Sequence, residues 1–261
     1  MAIVHIRFYA ELGDLLPPEQ RFRDVERTLF RGQTVKDLVE SMGVPHTEVD
    51  LILVNGEPVR FTHRLQDGDR ISVYPVFEGL DIAPASLLRP RPLRVTRFVA
   101  DVHLGRLARH LRLLGFDTSY RTDWTDQALA DVAMGEGRIL LTRDRGLLKR
   151  SAVDHGYLVR SDDPPAQLTE VLDRFDLRAS LRPFTRCPAC NGEVAAVAKE
   201  AVIDRLPPRT ALYYHEFWRC GTCGRLYWKG GHFRSLERLV ASAAGDPEGR
   251  ETPTARQEDR S

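Results

Sequence analysis

A strand that runs into an aspartate and then into a helix recurs in the middle of this chain, and this pattern constrains the fold most. A short apolar strand is predicted before Asp101, leucines at helical spacing follow it, and Gly115 ends the helix. The strand predicted over residues 138–142 is followed in the same way by Asp144 and a further helix. Strands that alternate with helices indicate a mostly parallel sheet. The sequence therefore predicts an α/β domain over residues 93–181.

Carboxylates follow three of the predicted strands in this domain: Asp101, Asp144 and the pair Asp162–Asp163. The carboxyl ends of parallel strands lie at one edge of a sheet, where ligands usually bind. Asp126 opens a helix that is placed to reach the same crevice. We therefore expect these acids to lie close together.

Clustered carboxylates repel one another unless cations or protons intervene. Mg²⁺ or Mn²⁺ suits a set of oxygen ligands, and such ions activate water for attack on a phosphodiester. For any single one of these acids, a helix cap is the commoner role. Three acids at strand ends in one domain modestly favour a metal site instead.

Charge is distributed unevenly along the chain, whose formal net charge is +1. Residues 1–80 carry 9 basic and 13 acidic side chains (9 − 13 = −4), whereas residues 93–160 carry 12 and 8 (+4) and residues 182–234 carry 9 and 4 (+5). The basic segments are typical of a chain that meets a polyanion. The candidate phosphate-binding side chains are Arg106, Arg109, Arg143 and Arg145. For each arginine alone, an ordinary solvated position is the commoner explanation.

All four cysteines lie in two CxxC pairs separated by 29 residues: Cys187, Cys190, Cys220 and Cys223. This spacing is typical of a tetrahedral Zn²⁺ site, and four thiolates leave no open position for catalysis. We therefore predict a structural zinc ribbon over residues 182–234. Paired thiols of this kind indicate a cytoplasmic protein rather than a secreted disulfide framework. The aromatic residues around them either stack on bases or, more commonly, form the ribbon's small core.

Residues 1–80 predict a β-grasp unit, in which two strands are followed by a helix and further strands. Val4, Ile6 and Phe8 alternate with polar residues, as in a half-buried strand, and Thr34 is placed as the N-cap of the helix. The segments LVNGEPV (from Leu53) and LQDGDRISVYPV (from Leu65) resemble the ubiquitin-like sulfur carriers. Those carriers end in a free Gly-Gly, whereas this chain continues past Gly79. We therefore expect this unit to dock a protein partner or present a substrate.

Three prolines in residues 81–92 predict a stiff linker, and residues 241–261 have almost no large apolar side chains, which predicts disorder. Charged residues interrupt the first thirty positions, so no signal peptide is expected. No apolar run is long enough to span a bilayer, so no membrane association is expected.

Four segments of the back half together resemble the Mut-seven C-terminal (Mut7-C) RNase family, a PIN-like nuclease domain fused to a zinc ribbon. They are FVADVHLGRLARHLRLLGFDT (from Phe98), RILLTRDRGLLKR (from Arg138), LVRSDDPPAQLTEVL (from Leu158) and FWRCGTCGRLYWKGGHF (from Phe217). The resemblance implies an α/β/α PIN-like sheet and divalent-metal-dependent cleavage of RNA. By position, it assigns the acidic site to Asp101, Asp126, Asp144 and Asp163.

Two other functions remain open from the sequence. The chain is alternatively a non-catalytic RNA- or ribosome-binding adaptor that keeps the fold and the charge. A weaker alternative is a sulfur-transfer partner that uses the first unit, which requires maturation near Gly79.

Overall fold

The structure is a computed structural model that describes residues 2–75, 87–88, 96–150 and 152–245. The chain divides into two compact units, one made of residues 1–108 and 118–161 and the other of residues 109–117 and 162–261. The first unit contains the β-grasp together with the parallel sheet. Most of the predicted linker 81–92 lies outside the described residues.

The first part of unit one is the predicted β-grasp. Its elements are β1 (Ala2–Phe8), β2 (Val25–Leu29), α1 (Val35–Ser41), β3 (Val49–Val54), β4 (Glu57–Pro58) and β5 (Arg70–Pro75). The sheet order is β2-β1-β5-β3-β4, with β1 and β5 parallel and the other pairs antiparallel. Thr34 caps α1 as predicted, because its hydroxyl accepts the Asp37 N–H and the Asp37 carboxylate accepts the Thr34 N–H. The Thr34 hydroxyl and the Thr34 N–H both donate to the Asp37 carboxylate, and these two hydrogen bonds lower the pKa of Asp37.

The second part of unit one is a four-stranded parallel sheet. Its elements are β6 (Phe98–Ala100), the start of α2 (Gly105–Leu113), β7 (Thr118–Tyr120), α3 (Asp126–Glu136), β8 (Ile139–Thr142), α4 (Arg145–Leu148) and β9 (Gly156–Leu158). The order is β7-β6-β8-β9, with every pair parallel. All residues of β6 and β8 are buried, as expected for the central strands of a parallel sheet. The predicted parallel sheet is confirmed.

The β-grasp and the parallel sheet share one apolar core. A continuous cluster of buried side chains includes Ile6 and Leu38 of the β-grasp together with Val99, Leu140 and Leu158 of the parallel sheet. Although a Pro-rich linker was expected to separate two domains, these two parts are therefore packed as a single body.

Polar contacts hold the β-grasp against β9, which is an edge strand. The Glu48 side chain is fully buried, and its Oε1 accepts the N–H of Leu158 at 2.5 Å. Nearby, the Nε2 atom of His46 lies 3.0 Å from the carbonyl oxygen of Val153. The β-grasp thus supplies a hydrogen-bond partner to the edge strand of the sheet. An edge strand without such a partner can pair with a strand of another chain.

The second unit contains the end of α2 and the following elements: α5 (Pro164–Arg174), β10 (Val194–Val197), α6 (Pro208–Tyr213), β11 (Phe217–Cys220), β12 (Leu226–Tyr227) and α7 (Phe233–Ala244). Strands β10, β11 and β12 form an antiparallel sheet in that order. Its small core contains Val202, Leu206 and Phe217.

Helix α7 extends into the segment that was predicted to be disordered. It ends at Ala244, with Gly245 in the left-handed conformation as its C-cap, so residues 241–244 are helical. Ala243 is buried, and its carbonyl oxygen accepts a hydrogen bond from Arg178. Alanine has the highest helix propensity, and this contact gives the last turn a tertiary partner. The rest of the predicted tail lies outside the described residues. Among the described helices, none is long and apolar enough to cross a membrane.

Candidate functional site

The register of the parallel sheet brings Asp101 next to the end of β8. Ala100 of β6 pairs with Leu141 of β8, and the Asp101 N–H continues the ladder by donating to the Leu141 carbonyl at 3.0 Å. The Asp101 side chain is 7% exposed, and its Oδ2 accepts the hydroxyl hydrogen of Thr142 at 2.7 Å. A buried carboxylate is thereby fixed at the carboxyl end of the two central strands.

Thr142 links Asp101 to Asp144. Its Oγ1 accepts the backbone N–H of Asp144 at 3.0 Å while its hydroxyl donates to Asp101. One buried hydroxyl therefore contacts the carboxylate of Asp101 and the backbone of Asp144, while the Asp144 carboxylate takes no part in these two hydrogen bonds. Sequence reasoning overlooked Thr142, although a threonine that ends a strand two residues before an acid was a signal that could have identified it.

Asp144 and Asp163 are both helix caps. The Oδ1 atom of Asp144 accepts the Gly146 N–H at 2.7 Å at the start of α4. In the second unit, the Oδ2 atom of Asp163 accepts the Ala166 N–H at 3.1 Å at the start of α5. In each residue, one of the two carboxylate oxygens accepts the capping hydrogen bond. Both residues are exposed to solvent.

Asp126 lies in the first turn of α3, which Thr125 caps. Its side chain is exposed, and its Oδ2 atom is 3.9 Å from a guanidinium nitrogen of Arg150. Asp101, Asp126 and Asp144 do not form a converging group of three ligand atoms. Within the described residues, the one such group of His, Cys, Asp or Glu side chains is the set of four cysteines.

The candidate arginines occupy different settings. Arg106, Arg109 and Arg143 are exposed to solvent. A guanidinium nitrogen of Arg145 donates to the Leu15 carbonyl of the β-grasp at 3.4 Å, so this side chain is also a contact between the two parts of unit one.

The four cysteines converge as predicted. Their sulfur atoms all lie within 4.8 Å of one another, with Cys187 to Cys223 at 3.7 Å and Cys190 to Cys220 at 3.4 Å. A tetrahedral zinc ion with Zn–S bonds near 2.3 Å requires sulfur separations of about 3.8 Å. The donor set and its spacing therefore fit Zn²⁺.

Tyr227 stabilises the thiolate form of one cysteine. Its hydroxyl lies 2.9 Å from the Cys187 sulfur. Burial raises the pKa of Cys187, but the hydrogen bonds from Tyr227 and from the backbone outweigh burial and lower this pKa to about 6. Burial and the Cys187 sulfur raise the pKa of Tyr227, so its hydroxyl is the donor. Sequence reasoning assigned Tyr227 only to the group of aromatic residues.

Arg112 of α2 anchors the first cysteine pair. It is 3% exposed, and one guanidinium nitrogen donates to the carbonyl oxygens of Pro188 and Ala189, each at 3.2 Å. Near it, the Asn191 side chain donates to Asp117 at 2.7 Å. These residues were not predicted as part of the site, because their partners lie more than seventy positions away in the sequence.

Several known proteins are similar to parts of this chain. The human exonuclease mut-7 homolog (Homo sapiens) is 38% identical over 106 residues, which cover 38% of this chain and 12% of that protein. The chain therefore spans only a small part of this relative's length.

Two solved structures match the N-terminal part. They are the putative molybdopterin converting factor subunit 1 of Pyrococcus furiosus (25% identity, TM-score 0.25) and the small archaeal modifier protein 1 of H. volcanii (20% identity, TM-score 0.24). Each match covers 30% of this chain and 100% of the solved chain.

Two family models match in order along the chain. The Mut7-C ubiquitin model matches residues 1–81, and the Mut7-C RNAse domain model matches residues 96–240, which are 145 of the 261 residues. Since the second match alone exceeds half of the sequence, this chain belongs to the Mut7-C RNAse domain family and carries a Mut7-C ubiquitin domain before it.

Proposed function

We propose that this protein is a divalent-metal-dependent ribonuclease whose acidic site is centred on Asp101 and Asp144. The observation that carries the proposal is the hydrogen-bonded link Asp101–Thr142–Asp144 at the adjoining carboxyl ends of β6 and β8. Membership of the Mut7-C RNAse domain family supports hydrolysis of a phosphodiester. The assignment of Asp126 and Asp163 to the same site remains part of the proposal.

Carboxylate oxygens are the ligand type that Mg²⁺ and Mn²⁺ prefer, and in this proposal Asp101 and Asp144 would hold such an ion. The chemistry that such an ion supplies is a lowered pKa of bound water and stabilised charge on the phosphodiester. Among the residues of the chain, Thr142 orients the Asp101 carboxylate, and Asp144 keeps one oxygen on its helix cap while the other remains for a ligand. Arg106, Arg109 and Arg143 are exposed to solvent, and in this proposal they bind phosphate together with Arg145.

The cysteine site has a structural role in this proposal, since Zn²⁺ held by four thiolates has no open position. Free, paired thiols suit a reducing compartment, and we therefore infer a cytoplasmic protein. The β-grasp is inferred to offer a surface to a protein partner in addition to covering the β9 edge.

Cleavage assays with point variants test the proposal. Single-stranded and hairpin RNA are incubated with Mn²⁺ and the wild type, Asp101→Asn or Asp144→Asn. Loss of a charged ligand removes several kcal/mol of transition-state stabilisation, so we expect a fall in cleavage rate of about 100-fold or more. Asp131→Asn, at an exposed acid on α3, is the matched control and retains activity. Equal cleavage by the wild type and Asp144→Asn would rule out the proposed mechanism.

A non-catalytic RNA-binding adaptor, on RNA or on the ribosome, is the second candidate. It is favoured by the capping hydrogen bonds of Asp144 and Asp163, which give both acids a structural task. This function predicts RNA binding that weakens with salt, with no metal-dependent turnover. A sulfur-transfer role is a third candidate, but the Gly79 region that it requires lies outside the described residues.

A further inference from the structure

A cavity of about 190 Å³ opens on the second unit beside the cysteine site. Five aromatic side chains line it, and two cationic ones, Arg186 and Lys229, lie among them. The aromatic residues are Phe184, Trp218, Tyr227, Trp228 and Phe233. This volume is below the roughly 300–1,000 Å³ of pockets for drug-sized ligands, so it suits a single flat ring system.

Most of these rings are not needed for the core of the ribbon. The core is formed by Phe217, which is 2% exposed, together with Val202 and Leu206. Trp218 follows Phe217 in β11 and therefore points to the opposite face of the sheet, where it pairs with Tyr227 of β12. Of the five aromatic residues, only Trp228 also packs against the core, and all five are half-buried.

The cations of the cavity are held in place beside the rings. The Lys229 Nζ atom lies 5.6 Å from the ring centroid of Trp218, and it also pairs with Glu216 at 2.9 Å. A guanidinium nitrogen of Arg186 donates to the Asn191 carbonyl at 2.9 Å. The ribbon segment 182–234 has a net charge of +5 (9 − 4). Stacking rings within a basic surface are what proteins use to bind single-stranded nucleic acid.

We propose that this cavity binds an unstacked base of single-stranded RNA, with Trp218 as its principal stacking surface. The proposal rests on the proposed function in taking RNA as the ligand, but it does not depend on cleavage. The chain's own segment 246–261 is a poor occupant, because it contains no aromatic, leucine, isoleucine, valine or methionine side chain that would fill an apolar cavity. The ribbon's positive charge favours a phosphate-bearing ligand over an apolar peptide.

Fluorescence anisotropy with a labelled 12-residue oligouridylate tests this site. The binding buffer contains neither divalent metal nor chelator, so that RNA is not cleaved and the ribbon keeps its metal. Removing one stacked base contact weakens binding by about 5- to 150-fold, and we expect a loss in this range for Trp218→Ala. Trp218→Phe keeps a ring and is expected to bind with intermediate affinity. Tyr213→Ala, at an aromatic residue on α6 that is 70% exposed and outside the cavity, is the matched control and binds as the wild type does.

A second arm uses the wild type alone and is therefore independent of the folding of any variant. An oligonucleotide of the same length that lacks its bases keeps the phosphate charge and is expected to bind as weakly as the intact RNA binds Trp218→Ala. Equal binding of the two oligonucleotides, equal binding by the wild type and Trp218→Ala, or no RNA binding at all would overturn the proposal. Base-dependent binding in this assay, together with no cleavage in the separate assay with Mn²⁺, would instead refute the proposed ribonuclease while leaving this site standing.

Discussion

The hydroxyl of Thr142 contacts both members of the acid pair, although Thr142 itself was not predicted as a site residue. The side chain is completely buried, and it donates to Asp101 while accepting from the Asp144 backbone. Valine has nearly the same shape but neither hydrogen-bonding ability. Substitution would leave a buried carboxylate oxygen without its donor and a backbone N–H without its acceptor, which is the costly way to lose a hydrogen bond.

We predict that Thr142→Val lowers the free energy of unfolding by about 1–3 kcal/mol, whereas Thr142→Ser loses less because it keeps the hydroxyl. Urea denaturation of the three proteins measures the difference. If Thr142→Val and Thr142→Ser are equally stable, the hydroxyl does not link the two acids in solution.

Tyr227 is predicted to control how tightly the cysteine site holds zinc. Tyr227→Phe removes the hydrogen bond that lowers the pKa of Cys187 and keeps the ring. Losses of such partners of metal ligands usually cost about 10- to 100-fold in metal affinity, and we expect a decrease of this size. Competition with a chromophoric chelator measures the affinity. Tyr213→Phe, at an exposed hydroxyl, is the control, and an equal affinity of Tyr227→Phe and this control would contradict the prediction.

Among single residues, the sequence could single out as candidates only those that belong to a pattern of neighbouring residues. Cys187 and Cys190 are recognisable from spacing alone, and their convergence is confirmed. The positions of Asp101 and Asp144 after apolar strands are an equally local signal, but their role in an acidic site stays a prediction. Arg112 acts through partners far away in the sequence, and no local pattern distinguishes it from an ordinary arginine. Thr142 has a local signal in its place two residues before Asp144, but its contact with Asp101 spans 41 positions and has no local signal.

Glycines end two of the helices, and both have the backbone conformation that a helix end favours. Gly115 follows α2, as predicted, and Gly137 follows α3. Their φ angles are 96° and 59°, the left-handed conformation that favours glycine at the end of a helix. Their surroundings differ. A Cβ atom on Gly115 would lie 2.3 Å from the Arg182 carbonyl oxygen, whereas a Cβ atom on Gly137 would meet nothing within 4 Å.

We therefore predict that Gly115→Ala destabilises the protein more than Gly137→Ala. The second substitution carries only the cost of the left-handed conformation, about 1–2 kcal/mol, while the first adds a clash with backbone that cannot rotate away. Thermal or urea denaturation of the two variants provides the comparison. Equal losses of stability would show that the close approach to Arg182 is absent in solution.

The sequence pattern predicted whether a segment is a helix or a strand more reliably than it predicted where the segment ends. The alternation of Val4, Ile6 and Phe8 correctly predicted a half-buried strand, and the capping residue Thr34 marked the start of a helix. Residues 241–244 were expected to be disordered but form the last turn of α7, which the contact of Arg178 with Ala243 stabilises. Composition alone cannot indicate such a tertiary contact.

For the molecule as a whole, the β-grasp is part of the body that contains the acid pair. One cluster of buried side chains contains both Ile6 of the β-grasp and Leu158 of the parallel sheet. The buried Glu48 carboxylate accepts a hydrogen bond from β9, the edge strand of the sheet that carries Asp101. The two family matches do not reveal that the β-grasp and the parallel sheet share a core. The hydrogen bond between Glu48 and Leu158, for example, joins positions 110 residues apart. The N-terminal part thus stabilises the sheet in addition to any partner that it binds.

A shared core implies that the β-grasp and the parallel sheet unfold together. Glu48→Ala removes the acceptor of the Leu158 N–H in a fully buried place, so we predict a loss of about 1–3 kcal/mol, with a smaller loss for Glu48→Gln, which keeps an acceptor oxygen. In native-state hydrogen exchange, peptides from β1 and from β8 are expected to lose protection by the same amount, because both exchange through the same global opening. Glu26→Ala, at an exposed position on β2, is the control and leaves both peptides protected. A loss of protection confined to peptides around β9 would mean that the two parts open independently, and the Mut7-C ubiquitin domain would then be a docked neighbour of the sheet rather than part of its core.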